Sequence, residues 1–233
     1  MSHDSIEIER KYDVDADQPV PDLTALGWTV RTTVADLDAC YLDTPSLDLT
    51  DARVTLRRRL GGADSGWHAK LQAPPESVSS REEPTAAGGQ RVRRELHVPI
   101  GADEPADHDD VTALVVPAEL TEAVARSGAL PDPGVLAAGL LPLVRVRNHR
   151  TTHLLSDADG PVAEVCDDVV TTTGLRAGVP DQRWREWEVE LVGPQADELG
   201  EVSLQRLDAV ERLLLAGGAR PATGPSKLVR ALG

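Results

Sequence analysis

Charged and apolar side chains alternate along the segment Glu7-Ile8-Glu9-Arg10-Lys11, near the start of the chain. Successive side chains of a β-strand point to opposite faces, so Glu7, Glu9 and Lys11 would share one face and Ile8 would lie on the other. Two carboxylates and an ammonium in one row are able to hold a charged ligand. On a single strand the same row is more simply a solvated edge, so its meaning depends on whether the pattern recurs.

The alternation does recur, and basic segments lie between acidic ones. The basic side chains that share a face within their segment are Arg57 and Arg59, His68 and Lys70, Arg91 and Arg93, and Arg145 and Arg147. The acidic ones are Glu164 with Asp168, and Glu186 with Glu188 and Glu190. Solvated surfaces usually intersperse the two signs, and burying an ion costs several kcal/mol before it is paired. The pattern therefore predicts a closed barrel whose charged side chains line the lumen and serve a ligand, with helices covering the apolar faces.

The overall composition narrows the class of partner. The chain has 233 residues and a formal net charge of -15, which argues against nucleic acid or an anionic membrane as a partner. An anionic ligand would have to be attracted locally. Cys40 and Cys166 have no metal-type spacing and are expected to be buried thiols. The sequence shows neither an apolar run of membrane-spanning length nor a secretion signal at its start, so we expect a cytoplasmic protein.

Segments near 5–14, 35–43, 53–60, 66–72, 90–98, 143–155, 162–170 and 183–192 are strand-like, and turn signals separate them. With the helical segments, they predict an α+β fold. We expect a single domain over 1–233, with a mobile loop at about 73–89 and C-terminal helices at 196–217 and 226–232. Ser226 is the predicted N-cap of the last helix.

These segments, taken in order, resemble the CYTH family, also called triphosphate tunnel metalloenzymes. The family hallmark, Glu-x-Glu-x-Lys on the first strand, is matched by Glu7, Glu9 and Lys11. The further matches are Tyr41-Leu-Asp43-Thr44, Leu56-Arg57-Arg58-Arg59, Gly66-Trp67-His68-Ala69-Lys70, Arg93-Arg94-Glu95, Arg145-Val-Arg147, Glu164 to Asp168, Glu188-Val-Glu190 and Ser226-Lys227. The resemblance spans 5–232 and implies an antiparallel barrel of eight strands that forms a tunnel.

The resemblance also implies a role for each matched residue. Acidic residues would hold Mg²⁺ or Mn²⁺, and the implied ligands are Glu7, Glu9, Asp168, Glu188 and Glu190, with Glu164 and Asp167 left open. Basic residues would grip the phosphate chain, and these are Arg57, Arg59, Lys70, Arg93, Arg145, Arg147 and Lys227. Lys11 and Tyr41 match the residues that position or deprotonate the attacking water. Neighbouring carboxylates would keep Lys11 protonated, which speaks against its acting as a base.

We therefore expect a metal-dependent triphosphatase whose ligand is a small-molecule triphosphate or polyphosphate. Animal thiamine triphosphatases carry a tryptophan at the position of Thr55, which favours inorganic tripolyphosphate here. Two alternatives remain open: a class IV-type adenylate cyclase that converts ATP to cyclic AMP and pyrophosphate, and a non-catalytic module that binds polyphosphate or nucleotide. The chain also resembles the CYTH portion of bacterial proteins that continue into a CHAD domain, so a CHAD domain in cis or in trans is a candidate partner.

Overall fold

The computed structural model describes residues 2–73, 90–102, 104–111, 114–128, 139–193, 200–222, 224 and 226–233. The strands are β1 (His3–Asp13), β2 (Thr29–Asp43), β3 (Thr55–Leu60), β4 (Gly66–Gln72), β5 (Arg91–Pro99), β6 (Leu141–Asp157), β7 (Gly160–Gly174), β8 (Gln182–Leu191) and β9 (Arg220–Pro221). A 3-10 helix spans Leu23–Leu26, and the α-helices are α1 (Asp48–Asp51), α2 (Ala118–Arg126), α3 (Glu201–Ala216) and α4 (Lys227–Leu232).

The strands β1 to β8 form a closed antiparallel barrel. Their order around it is β5-β4-β3-β2-β6-β7-β8-β1, and pairing of β1 with β5 completes the circle. The short strand β9 adds to β1 outside this ring. Closure leaves none of the eight strands with an unpaired edge, and it divides their alternating side chains into a lumen-facing set and an outward set. The predicted barrel is confirmed.

Helices cover the outside of the barrel in two places. Leu207, Val210 and Leu214 of α3 pack in a cluster that also contains Ile8 of β1 and Val189 of β8. On another side, Leu120 and Val124 of α2 pack in a cluster with Leu56, Trp67 and Leu71 of β3 and β4. Burying these side chains contributes roughly 1.5–3 kcal/mol each. Because helices cover these outward apolar faces, the lumen is free to be polar.

The last helix is placed differently from α2 and α3. Leu228 and Ala231 of α4 pack against Tyr41 and Val146, two side chains that line the lumen. Ser226 caps the helix, since its side chain accepts a hydrogen bond from the Val229 backbone N–H at 3.2 Å, as predicted. Helix α4 therefore packs at one end of the lumen, where the β2 and β6 side chains that it contacts are apolar or aromatic.

The eight predicted strands correspond to β1–β8, although β2, β6 and β7 extend several residues further than predicted. The start of the predicted helix 196–217 and all of the predicted loop 73–89 except Ala73 lie outside the described residues. Among the described residues, no helix combines the length and the apolar character needed to cross a membrane.

Candidate active site in the barrel lumen

A cavity of about 400 Å³ occupies the barrel, within the size range of small-molecule sites. The basic side chains that line it are Lys11, Arg57, Arg59, Lys70, Arg93, Arg150 and Lys227. The acidic ones are Glu7, Glu9, Asp64, Glu95, Glu164, Glu188 and Glu190. The two signs are equal in number, which makes so many enclosed charges tolerable. They are unevenly distributed, however, and the distribution separates two groups of carboxylates.

The first group, which we call the Lys227 cluster, comprises Asp168, Glu186 and Glu188. All three side chains are buried, and one carboxylate oxygen of each lies within 4.8 Å of those of the others. Lys227 Nζ lies 2.8 Å from Asp168 Oδ2, 2.6 Å from Glu186 Oε1 and 2.7 Å from Glu188 Oε1. A single ammonium from the first residue of α4 thus holds the three acids together.

Three further cations complete the Lys227 cluster. Arg150 donates to Asp168 at 2.7 and 2.6 Å and to Glu188 Oε2 at 2.6 Å, and Lys11 also donates to Glu188. Burial alone would raise the pKa of Asp168, but Arg150 and Lys227 hold that pKa below its usual range. Burial would likewise lower the pKa of Lys227, yet its three carboxylates raise it well above the ordinary value. Arg230 Nη1 lies 3.6 Å from Glu186 Oε2. The three carboxylates thus face four cations, of which Lys11 is shared with Glu9, and the protein itself neutralises the cluster.

The second group, the Glu190 cluster, comprises Glu7, Glu9 and Glu190. Glu9 lies directly across the β1–β8 pairing from Glu190, and Glu7 lies two residues away on the same face of β1. Glu7 accepts a hydrogen bond from Lys70 at 2.6 Å, and Glu9 pairs with Lys11 at 3.0 Å. Glu190 makes no hydrogen bond or ion pair with any other described residue, although its side chain is largely buried.

The Glu190 cluster has too few counterions for its three carboxylates. Lys11, Lys70 and Arg93 overcome burial and hold the pKa of Glu9 below its usual value, but Glu7 and Glu190 are less well compensated. Burial and the nearby charge of Glu7 raise the pKa of Glu190 well above its usual value. Burial, opposed by Lys70 and assisted by Glu9, raises the pKa of Glu7 to about 7. Both lysines that contact the Glu190 cluster are shared with other carboxylates, because Lys11 also pairs with Glu188 and Lys70 also lies 3.9 Å from Glu95. Carboxylates held together without enough cations are the donors that a hard divalent cation prefers, so the residues present fit Mg²⁺ or Mn²⁺.

The opposite wall of the lumen is basic and centres on β3. Arg57 Nη1 donates to Tyr41 Oη at 3.1 Å, and Arg57 Nη2 lies 4.0 Å from Glu95 Oε1. Burial alone would raise the pKa of Tyr41, but Arg57 outweighs it and holds that pKa below the usual value. Lys11 behaves in the opposite way, because Glu188 and Glu9 overcome its burial and raise its pKa. Of the two predicted catalytic groups, Tyr41 therefore loses its proton more easily than an ordinary tyrosine. Lys11 holds its proton more firmly than an ordinary lysine.

Most of the predicted site residues come together in the lumen, but Arg145 and Arg147 do not. Arg145 donates to Asp38 at 2.9 and 2.6 Å and to the His108 carbonyl at 3.3 Å, on the outside of the barrel. Arg147 is 53% exposed on the same side. Their placement in the lumen was wrong because the side chains that face inward here are Val144 and Val146, which pack against α4. The charged face of a strand is therefore its lumen-facing side only where the lumen is polar.

The two acidic residues left open by the sequence are now separated. Glu164 lines the cavity, whereas Asp167 faces outward and accepts hydrogen bonds from Arg185 at 2.7 and 2.8 Å. Three lumen residues were missed: Arg150, Glu95 and Asp64. Arg150 has the parity of Asn148 and Thr152 rather than of Arg147, and Glu95 shares a face with Arg93. Strand parity could have indicated both, whereas nothing in the loop sequence around Asp64 indicated an inward side chain.

Comparison with known proteins agrees with this architecture. The model of the CYTH domain matches residues 5–218. Two Mycobacterium tuberculosis proteins, uncharacterized protein Rv2226 of strain H37Rv and uncharacterized protein MT2285 of strain CDC 1551, are 36% identical over 98% of this chain. The chain spans 40% of the length of these curated relatives.

Two solved structures share the fold. A putative adenylate cyclase from Bacillus halodurans superposes with a TM-score of 0.61 at 16% identity, covering 99% of both chains. The putative adenylyl cyclase HpAC1 from Hippeastrum has a TM-score of 0.55 at 19% identity, covering 95% of this chain and 93% of its own. At these identities the likeness shows the fold alone. The family model matches nearly the whole chain, and together with the charged barrel it shows that this chain belongs to the CYTH family of triphosphate tunnel proteins.

Proposed function

We propose that the protein is a metal-dependent hydrolase that releases phosphate from inorganic tripolyphosphate. The observation that carries the proposal is the counterion shortage of the Glu190 cluster, opposite a basic wall in one closed lumen. A module that only bound polyanions would gain nothing from three carboxylates facing its ligand, of which Glu190 has no partner among the described residues. Carboxylates that hold a divalent cation explain both walls, since the cation and the arginines would neutralise the same phosphate chain.

Glu7, Glu9 and Glu190 would hold the metal ion, Mg²⁺ or Mn²⁺. When bound, the ion would neutralise phosphate oxygens and lower the pKa of a coordinated water. Asp168 and Glu188 are also implied ligands by resemblance, but we assign them to the Lys227 cluster, where three cations already satisfy them. Ion pairing with Lys227 accounts for their close grouping, which requires no metal.

The basic wall would orient the phosphate chain. Phosphoryl transfer needs little covalent help from a protein, so positioning and charge stabilisation dominate. Arg57, Arg59 and Arg93 are able to form paired hydrogen bonds with phosphate oxygens, and Lys70 acts as a point charge. Arg150 is the β6 arginine that lines the cavity, but its Nε and Nη2 donate to Asp168 and Glu188, so it would add positive charge rather than a paired contact.

Tyr41 and Lys11 would divide the proton chemistry. Tyr41 Oη accepts a hydrogen bond from Arg57 and has a lowered pKa, so it is the better candidate to take a proton from an attacking water. Lys11 keeps its proton, and its ammonium would stabilise negative charge next to Glu9 and Glu188. The physics therefore favours the tyrosine as the base and the lysine as an electrostatic group.

The choice of tripolyphosphate rests on what is missing from the cavity wall. Thr55 lines the cavity, and Tyr41 supplies the one aromatic ring among the described lining residues. A stacking platform for a thiamine or adenine ring is worth on the order of 1 kcal/mol, and these residues do not provide one. The Hippeastrum neighbour, described as having a dominant triphosphatase activity, supports hydrolysis over cyclisation. The chain spans 40% of the length of its curated relatives, and for any longer protein that contains it the triphosphatase activity is likewise a proposal.

The test is to measure phosphate, pyrophosphate and cyclic AMP from tripolyphosphate, thiamine triphosphate and ATP with Mg²⁺ or Mn²⁺. We expect rapid release of phosphate from tripolyphosphate, and its loss in Glu9→Gln and after chelation of the metal. Cyclic AMP with pyrophosphate from ATP would show a cyclase instead. Tight binding without turnover of any substrate would show a binding module and contradict the hydrolase.

A further inference from the structure

The turn between β3 and β4 carries an acidic side chain into the basic end of the lumen. Asp64 lines the cavity, and its carboxylate pairs with the guanidinium of Arg59. The Arg59 side chain is only 7% exposed, whereas that of Asp64 is 59% exposed. A carboxylate and a phosphate are the same kind of partner for an arginine, because each offers oxygens to its paired N–H groups. Asp64 therefore occupies a position on Arg59 that a phosphate would also seek.

Arg59 can accept more negative charge than Asp64 supplies. Burial lowers the pKa of Arg59, and the neighbouring Arg57 and Arg150 lower it further, with Asp64 acting against them. In addition, Arg59 Nε is buried and has no hydrogen-bond acceptor among the described residues. This part of the lumen is thus short of anions, just as the Glu190 cluster is short of cations.

The main chain of the turn is fixed without help from the Asp64 carboxylate. His68 Nε2 lies 3.0 Å from the Asp64 carbonyl oxygen, and the Ser65 hydroxyl donates to the Gly61 carbonyl at 3.0 Å. Gly61 has a φ of 80°, and a Cβ there would collide with the Asp36 carbonyl oxygen. These contacts place the Asp64 side chain at the cavity, and its exposure leaves it free to swing into solvent.

We propose that Asp64 is a specificity-determining residue, an internal anion that a phosphate chain must displace from Arg59 in order to bind there. The proposal rests on the proposed function in taking a phosphate chain as the ligand. A chain too short to reach both the Glu190 cluster and Arg59 leaves the Asp64–Arg59 pair in place. A longer chain breaks that pair, so Asp64 weakens the binding of longer chains more than that of shorter ones.

The experiment compares the wild-type protein with Asp64→Asn and with the control Asp36→Asn. The Asp36 side chain is 89% exposed and lies 2.7 Å from His149 on the outside of the barrel. Both substitutions remove one negative charge, so they change the net charge equally. Affinities for tripolyphosphate and pyrophosphate are measured by calorimetry with Ca²⁺, a hard cation that also prefers oxygen ligands and would anchor one end of the chain at the Glu190 cluster. KM and kcat are measured with Mg²⁺.

We expect Asp64→Asn to bind tripolyphosphate about threefold to fivefold more tightly, the range set by a partly exposed ion pair. The affinity of Asp64→Asn for pyrophosphate should increase little, and Asp36→Asn should bind both anions as the wild type does. The KM of Asp64→Asn for tripolyphosphate should fall, with kcat nearly unchanged. An equal gain for both anions, or for Asp36→Asn, would indicate a general field effect and overturn the proposal. An unchanged affinity in Asp64→Asn would overturn it as well.

The two proposals fail in distinguishable ways. Tripolyphosphate binding with the expected shift, but without turnover in Mg²⁺, would refute the hydrolase and keep the role of Asp64. Turnover in Mg²⁺, with no difference in tripolyphosphate affinity between Asp64→Asn and the wild type, would refute the role of Asp64 and keep the hydrolase. If none of the three proteins binds tripolyphosphate, both proposals are wrong.

Discussion

The Lys227 cluster and the Glu190 cluster each contain three carboxylates on the same barrel wall, but their surroundings differ. Asp168 and Glu188 are matched by Lys227, Arg150 and Lys11, and their pKa values are held low. Glu190 has no partner of its own among the described residues, and its pKa is driven up. The tighter cluster of acids is therefore the one that needs a metal less. The supply of counterions, rather than the number or closeness of carboxylates, distinguishes a structural network from a binding site.

The largest expected effect is that of removing the cation from the Lys227 cluster. Lys227→Met leaves buried carboxylates uncompensated and should lower the free energy of unfolding by about 3–5 kcal/mol. The measurement is urea denaturation, with Arg220→Met as the control, since Arg220 is 57% exposed in its pair with Asp15. Adding Asp168→Asn to Lys227→Met should restore part of the loss. A Lys227→Met protein as stable as the wild type would remove the distinction between the clusters.

A large effect on activity is expected from the Glu190 cluster. Glu190→Gln should reduce kcat/KM at least about 100-fold, because it removes a proposed metal ligand. Titration with Mg²⁺, followed by thermal unfolding, should raise the melting temperature of the wild type more than that of the variant. Full activity in Glu190→Gln would show that the metal lies elsewhere, with the Lys227 cluster as the next candidate.

Glu190 and Asp168, one residue from each cluster, should respond to pH with opposite signs in the presence of EDTA. Glu190 has a raised pKa in the folded protein, so its charge destabilises the fold above the ordinary pKa of 4.5. Glu190→Gln should then be more stable than the wild type by on the order of 1 kcal/mol at pH 8, with no difference near pH 4. Asp168 has a lowered pKa, so it stabilises the fold above 3.8 and loses this contribution as the pH falls. Asp168→Asn should be less stable at pH 8 and approach the wild type in acid.

The smallest effect is expected on the outside of the barrel. Arg147→Met should leave kcat/KM within about twofold of the wild type, because this exposed side chain has weak interactions. Arg57→Met, which removes a guanidinium from the lumen, is the matched comparison and should lose activity. A large loss in Arg147→Met would mean that β6 turns its odd-numbered side chains toward the substrate.

Strand parity predicted the barrel well wherever the lumen is polar. On β1, β3, β4 and β8 the charged face is the inner face, as expected for Glu7, Arg57, Lys70 and Glu188. On β6 the rule fails for a physical reason: the C-terminal helix fills that end with Leu228, so the inner face there is apolar. A single strand cannot reveal which face a helix from the far end of the chain will cover.

The sequence also could not tell the two acidic clusters apart. Glu188 and Glu190 stand two residues apart on one strand, each flanked by apolar residues, and the family resemblance implied the same role for both. Their difference comes from Lys227, which lies 39 residues further along the chain than Glu188. Similarly, Asp64 belongs to a glycine-rich turn that the sequence predicts only as a hairpin loop. Residue types predicted the composition of the lumen, whereas the pairing of charges depended on tertiary contacts.

The closure of the barrel by β1 has a consequence for how the protein folds. This strand pairs with β5 and β8, so His3 meets His97 and Glu9 meets Glu190 across long stretches of chain. Such nonlocal pairings form slowly, since a large loop entropy must be lost before any contact compensates for it. The same strand carries Glu7, Glu9 and Lys11. The proposed metal-binding carboxylates would therefore come together only when β1 pairs with β5 and β8. A nascent or partly folded chain would then have no site that could bind the metal.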